Sequence, residues 1–276
     1  MTNREKIVKL ARTFKAICSH PVEFARFSLA FGESHLKGHA SRKHGVGSGL
    51  PTIDLLDLFP NFSERVVPYA YLEGGSTAID LALLKALARR YENCRYFEIG
   101  AWRGESVANV ASVAEECVSL SLSDDELRTL GWNDLHLATA RFFSDGLKNV
   151  VHIGHDSKSF DYRPYAGSCD LVFIDGDHSY DGVRSDTVNA FRLLRDERSV
   201  IVWHDYMRTA ETDILWGVLA GLLDGAPQGA SRHIYHVSNT LCAVYINGRI
   251  PLADVVYPAT PDKVFEVQIT AKKYRP

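Results

Sequence analysis

The chain has 276 residues, 46% of them hydrophobic and 24% charged, with a formal net charge of -3. That composition excludes wholesale disorder and suits one α/β domain with added segments or two small domains. Five cysteines (Cys18, Cys94, Cys117, Cys169, Cys242) are odd in number and never form a C-x-x-C pair, which argues against a disulfide framework and a zinc site. With no apolar run of membrane-spanning length and no apolar block at the N-terminus, a reducing cytoplasm is the expected compartment and stable membrane insertion is not expected.

Charge is uneven along the chain. Residues 1–50 hold nine Lys or Arg against three Glu, together with four His, while the remainder is acidic. Such a front end can be a surface for anionic partners, or a solvated helix that docks on the acidic body of its own chain. The acidic body offers no basic stripe with interleaved aromatics, so nucleic acid is not an expected partner.

Ile7, Leu10, Phe14 and Ile17 recur at helical spacing, and a second segment opening at Pro21 repeats the pattern with Phe24, Phe27 and Phe31. The stretch 32–49, rich in Gly, Ser, His and Lys and without periodicity, is expected to be a loop or lid. From Ser76 the pattern becomes regular. A helix is expected over 77–90 with Ile79, Leu83, Ala86 and Leu87 inward, followed by apolar segments at 95–99, 117–122, 150–153, 170–174 and 199–203. Helical faces lie between them, Val107, Val110, Ala111 and Ala114 on one, Val183, Thr187, Ala190, Phe191 and Leu194 on another. Strands alternating with helices imply a parallel sheet covered on both sides. "HIYHV" and "LCAVYI" around "SNT" suggest a closing hairpin, and "KVFEVQI" alternates as an edge strand or a segment packing across another subunit would.

The stretch "YFEIGAWRGES" carries a strand into a helix through Gly100 and Gly104, at the carboxyl edge where open α/β sheets bind ligands. Its spacing, from Glu98 through Gly100 and Gly104 to Ser106, is not the G-x-G-x-x-G of a pyrophosphate cradle. A carboxylate there repels pyrophosphate and attracts an ammonium group, which favours a cofactor bearing an amino acid over NAD.

Together with "CDLVFIDGDHSYDGVRSDTVNAFRLLRDERSVIVWHDY" (169–206), this stretch resembles the class I S-adenosylmethionine-dependent methyltransferases, in the branch of catechol-type and macrocin-type (antibiotic-sugar) O-methyltransferases. The resemblance implies a doubly wound, seven-stranded, mostly parallel α/β sheet with a terminal antiparallel hairpin. A helical extension and linker would occupy 1–75, the methyltransferase domain 76–247, and a C-terminal extension 248–276. It places Glu98, Gly100, Ala101, Gly104 and Ser106 around the methionine end of S-adenosylmethionine, Asp156 and Ser157 near the adenine, and Asp175 between cofactor and chemistry. Ser121 stands where relatives carry an acidic ribose contact; Asp124 and Asp125 are nearby, but Ser123 to Glu126 is also a capping box.

Asp175, His178, His204 and Asp205 are the candidate catalytic residues. In one mechanism Asp175 and Asp205, with His204 or a water, hold Mg²⁺ or another divalent ion that polarises a hydroxyl, with histidine a better match for Mn²⁺, Fe²⁺ or Zn²⁺. In the other, His178 or His204 accepts the hydroxyl proton, with a nearby aspartate fixing the tautomer. Asp177 and Ser179 are also candidates to cap the following helix. Trp102, Tyr180, Trp203 and Tyr206 could wall an acceptor pocket or, as Trp203 inside a strand suggests, belong to the core. The expected protein is a methyltransferase of a small-molecule hydroxyl, a sugar or glycosylated metabolite, and a homo-oligomer. The alternatives are a non-catalytic scaffold of this fold and a nucleotide-dependent oxidoreductase.

Overall fold

A computed structural model describes residues 21–210, 212–254, 257–258 and 260–273, with side chains from residue 32 onward. The helix expected from Ile7, Leu10, Phe14 and Ile17 lies outside the described residues, as do the side chains of Phe24, Phe27 and Phe31. The chain divides into two compact units, Met1–Gly47 and Ser48–Pro276.

In the first unit, α1 (Pro21–His44) runs through most of the stretch expected to be a loop. Gly32 and Gly38 each cost about 1 kcal/mol in a helix, but no proline interrupts 32–44 and the remaining residues tolerate helix well. The break comes at Gly45, which adopts a φ of 74° and donates its N–H to the Ser41 carbonyl at 3.0 Å. Arg42, Lys43 and His44 put positive charge on the last turn, where the helix dipole favours it.

The second unit is the expected mostly parallel sheet with flanking helices. Its strands are β1 (Thr52–Ile53), β2 (Arg95–Ile99), β3 (Glu116–Ser121), β4 (Val150–Gly154), β5 (Leu171–Ile174), β6 (Val200–Trp203), β7 (Ile234–Val237) and β8 (Ala243–Tyr245). They lie in the order β1-β7-β8-β6-β5-β2-β3-β4, with β8 alone antiparallel to both its neighbours. The seven expected strands are joined by an eighth, β1, two residues long and parallel to β7. It has no alternating pattern of its own and owes its place to backbone pairing, since Pro51 and Ile53 carbonyls accept from His236 and Ser238.

Both faces of the central strands are covered, and β5 and β6 are buried at every position. On one face Tyr96, Phe173, Val202 and Val244 pack against Leu83, Leu84 and Leu87 of α3 (Ala78–Ala88) and Val107 and Val110 of α4 (Glu105–Ala111), after the short α2 (Leu55–Leu58). After β3 come α5 (Asp124–Thr129) and α6 (Asp134–Leu137); α7 (Tyr180–Leu193) and α8 (Trp216–Gly225) complete the helices of the described residues. The capping box anticipated at Ser123 and Glu126 forms, and Ser179 caps α7 by accepting from Gly182 N. The tail "KVFEVQI" forms no strand: Val264 is 94% exposed, and Lys263 pairs with Asp54.

At the end of β2 the chain passes so close to β5 that only glycine fits. A Cβ on Gly100, whose φ is 91°, would stand 2.3 Å from the Asp175 carbonyl oxygen and 2.4 Å from Gly176 Cα. Gly100→Ala should therefore destabilise the fold by about 2–4 kcal/mol from left-handed strain and overpacking, read as a lowered denaturant midpoint at unchanged slope.

Candidate active site

Parallel registry brings the ends of β2, β5 and β6 to one level, because Ile99 pairs with Ile174 and Ile174 with Trp203. The loops leaving these strands surround a cavity of about 340 Å³ lined by Gly100, Ala101, Trp102, Gly104, Ser106, Asp175, His178, His204 and Asp205, among others. Four of the five residues expected at the methionine end of a cofactor are thus on one wall, and all four catalytic candidates on another.

The acidic and imidazole groups converge tightly. His178 Nε2 lies 3.1 Å from Asp205 Oδ2 and 3.5 Å from Asp175 Oδ1, while His204 Nδ1 lies 3.3 and 3.2 Å from the same two oxygens. His204 and Asp205 are consecutive, and in extended chain their side chains would point to opposite faces. Asp205 instead adopts a φ of 53°, a left-handed conformation that costs a non-glycine residue energy and accompanies the return of its carboxylate toward the His204 ring. Burial opposes charge on His204, but Asp175, with Asp205 and Asp80, holds its pKa well above the ordinary value. Burial likewise opposes ionisation of Asp175, yet His204 and His178 hold that carboxyl well below the usual range.

Asp80 was not anticipated. It is the third residue of α3, in a capping box with Thr77, and its carboxylate is fully buried. Oδ2 accepts from Thr77 N and faces His204 Nε2 at 3.3 Å, while Oδ1 accepts from Leu241 N in the turn between β7 and β8. The T-x-x-D spacing announces the cap, but nothing local points to a histidine 124 positions away. Ser76, also unanticipated, donates to Asp175 Oδ2 at 3.4 Å.

Arg103, Glu105 and Asn109, buried around the glycine loop, hold the segment before α3 across the site. Asn109 Oδ1 accepts from Val67 N and its Nδ2 donates to the Pro68 carbonyl; Glu105 Oε1 accepts from Ala70 N; Arg103 donates to the Glu73 carbonyl. The Arg103–Glu105 ion pair, at 3.2 Å, joins two of these anchors.

Other candidates sit elsewhere. Glu98 does not reach the cavity wall: it is fully buried, with Oε1 accepting from Ser106 Oγ and Oε2 from Tyr96 OH. Its contact with a cofactor would run through Ser106. Ser121, Asp156 and Ser157 are also off the cavity lining. Asp156 Oδ1 accepts from Lys158 N, and Asp124 and Asp125, in the first turn of α5, pair with Arg141 and Arg128. Of the four aromatics, only Trp102 lines the cavity. Trp203 is core, its Nε1 donating to Thr187 Oγ1; Tyr206 is buried and accepts from Leu50 N; Tyr180 turns to Asp224. Burial with a hydrogen bond for each polar tip claims the Trp203 and Tyr206 rings for the core.

Burial pushes the Glu98 carboxyl from its ordinary 4.5 up to about 8, against the pull of the Tyr96 and Ser106 hydroxyls. The folded state therefore holds a proton that the unfolded chain releases, so Glu98 favours folding below pH 4.5 and this contribution is lost as pH rises to about 8. The Tm of Glu98→Gln relative to wild type should rise between pH 5 and 8 and level off above; a constant difference would show that Glu98 is ionised in the fold.

No curated protein sequence matches the chain. Among solved structures it is similar to the YcgJ protein of Bacillus subtilis, at 16% identity over 46% of this chain and 50% of that one, with a TM-score of 0.35. It is also similar to the S-adenosylhomocysteine-bound Podospora anserina methyltransferase, at 19% identity over 48% and 54% with a TM-score of 0.37. The O-methyltransferase TomG of Streptomyces achromogenes, in complex with S-adenosylmethionine, aligns at 20% identity over 63% and 82% with a TM-score of 0.42. The chain spans about half the length of the first two. Residues 97–206, from β2 through Tyr206 and including Asp175, His178, His204 and Asp205, match the family model of a methyltransferase domain.

Proposed function

We propose that this protein is an S-adenosylmethionine-dependent O-methyltransferase acting on a hydroxyl of a small molecule, a sugar or glycosylated metabolite. The observation that carries this reading is one cavity holding both the glycine loop of the matched methyltransferase domain and the Asp175–His178–His204–Asp205 cluster. Backbone around Gly100, Ala101 and Gly104 would approach the methionine part of the donor, with Ser106 presenting its hydroxyl and Glu98 supporting Ser106 from behind. Trp102, 37% exposed and edge-on to Trp132, gives a sugar or ring-bearing acceptor an apolar surface at the mouth.

Methyl transfer is an in-line displacement at a sulfonium carbon, so alignment of donor and hydroxyl supplies much of the acceleration. The hydroxyl must also shed its proton. Asp175, His204 and Asp205 fit a divalent ion: their ligand atoms lie within 4.8 Å of one another, and the buried His204 Nδ1 sits between two carboxylate oxygens at 3.2 and 3.3 Å. Such an ion would lower the pKa of a hydroxyl at the site. Without one, His178, held by Asp205 and partly open to solvent, is the base.

S-Adenosylhomocysteine should bind one-to-one in the micromolar range by calorimetry, while NADH gives no heat; silence at millimolar concentration would favour a non-catalytic scaffold. In turnover assays with labelled donor and a panel of glycosides, EDTA should abolish methylation. Full activity in EDTA would leave His178 as the base.

A further inference from the structure

His178 lies beside the three candidate ligands. Its Nε2 faces the same two oxygens, Asp175 Oδ1 and Asp205 Oδ2, that His204 Nδ1 faces from the buried side. The four nitrogen–oxygen separations run from 3.1 to 3.5 Å. Donor atoms placed about 2.1 Å from one metal ion stand about 3.0 Å apart at octahedral angles and about 3.4 Å apart at tetrahedral ones. These separations match those of neighbouring ligands as well as those of ion pairs. His204 Nδ1, in a side chain 4% exposed, is ion-paired with both oxygens at 3.2 and 3.3 Å, although neither contact has the alignment of a hydrogen bond. In the apoprotein these carboxylates hold a proton at that nitrogen; a metal ion would take the proton's place between the same oxygens.

The far side of the ring completes the pattern. Imidazoles that bind metals ordinarily hand their other ring N–H to a carboxylate, which orients the ring and raises its basicity. His204 Nε2 meets Asp80 Oδ2 at 3.3 Å, and Asp80 is itself fixed by Thr77 and Leu241.

We propose that Asp175, His178, His204 and Asp205 form a two-histidine, two-carboxylate site selective for a transition-metal ion such as Mn²⁺ over Mg²⁺, with Asp80 as the positioning residue of His204. This assignment rests on the divalent-ion reading of the site and deepens it. Two imidazole donors set the preference, because Mg²⁺ favours oxygen ligands whereas first-row transition ions accept nitrogen readily.

The test uses the full chain, stripped with EDTA and dialysed, without cofactor or acceptor. Calorimetric titration should show one Mn²⁺ site at least tenfold tighter than Mg²⁺. Spin-echo modulation of the Mn²⁺-loaded protein should show ¹⁴N couplings from two imidazoles, one lost in His178→Ala and the other in His204→Ala. Asp80→Asn should weaken Mn²⁺ binding on the order of tenfold or more and perturb the His204 coupling, whereas Asp80→Ala would add cavity effects. Equal affinity for Mg²⁺ and Mn²⁺, absence of nitrogen couplings, or couplings unchanged in His178→Ala would overturn the proposal. A parallel titration of the stripped protein with S-adenosylhomocysteine separates the two levels. Donor binding without a metal site removes the ion and keeps the methyl-transfer reading; a metal site without donor binding does the reverse.

Discussion

The site depends on a histidine ring with no room to be anything but ionic or ligating. His204 leaves the end of β6 into a space closed by apolar core, with carboxylate oxygens beyond both of its nitrogens. A buried carboxylate such as Asp80 is tolerated only when its oxygens are satisfied. Here that satisfaction is divided among the first turn of α3, the turn between β7 and β8, and His204. The ring thereby ties a helix cap, a hairpin and a strand end into one network, and the orientation of the site's innermost nitrogen follows from the packing of the whole sheet edge.

The opposite wall is held by different physics. Between β2 and α4 the backbone must pass a Cβ's width from the Asp175 carbonyl, so Gly100 is demanded by contact; Gly104, with a φ of 78°, is demanded by both conformation and the nearness of Ser144. Arg103, Glu105 and Asn109 then use their buried polar atoms on the backbone of the segment before α3, which anchors it beside the glycine loop. One segment of chain thus reaches both walls: the glycine-loop side chains hold its first half, and Ser76 touches Asp175 at its end.

The match over 97–206 covers about two fifths of the chain and contains both walls' strand ends, but not Asp80, Leu241 or the segment before α3. The residues that complete the cavity therefore come from outside the matched stretch.

What the sequence by itself determined was whatever depends on near neighbours. Alternation of apolar strands with amphipathic helices, the caps at Ser123 and Ser179, and the glycine turn at Gly100 and Gly104 all follow from covalent spacing and backbone sterics. The strand order implied by the resemblance puts Asp175, His204 and Asp205 at adjacent strand ends, where the structure places them. The tertiary structure alone decided which groups lose water. Glu98 and Ser106 share a strand–helix motif, yet only packing by Tyr96 beneath the sheet edge removes Glu98 from the cavity. Trp203 and Tyr206 lie beside His204 in the chain but are claimed by the core, and the apolar alternation of 263–269 finds no strand to pair with. Asp80 reaches His204 and Leu241 across 124 and 161 positions, and no local pattern encodes a partner at that distance. Burial is a property of the assembled surface, so the charges it traps are settled only when the sheet and its helices have closed around them.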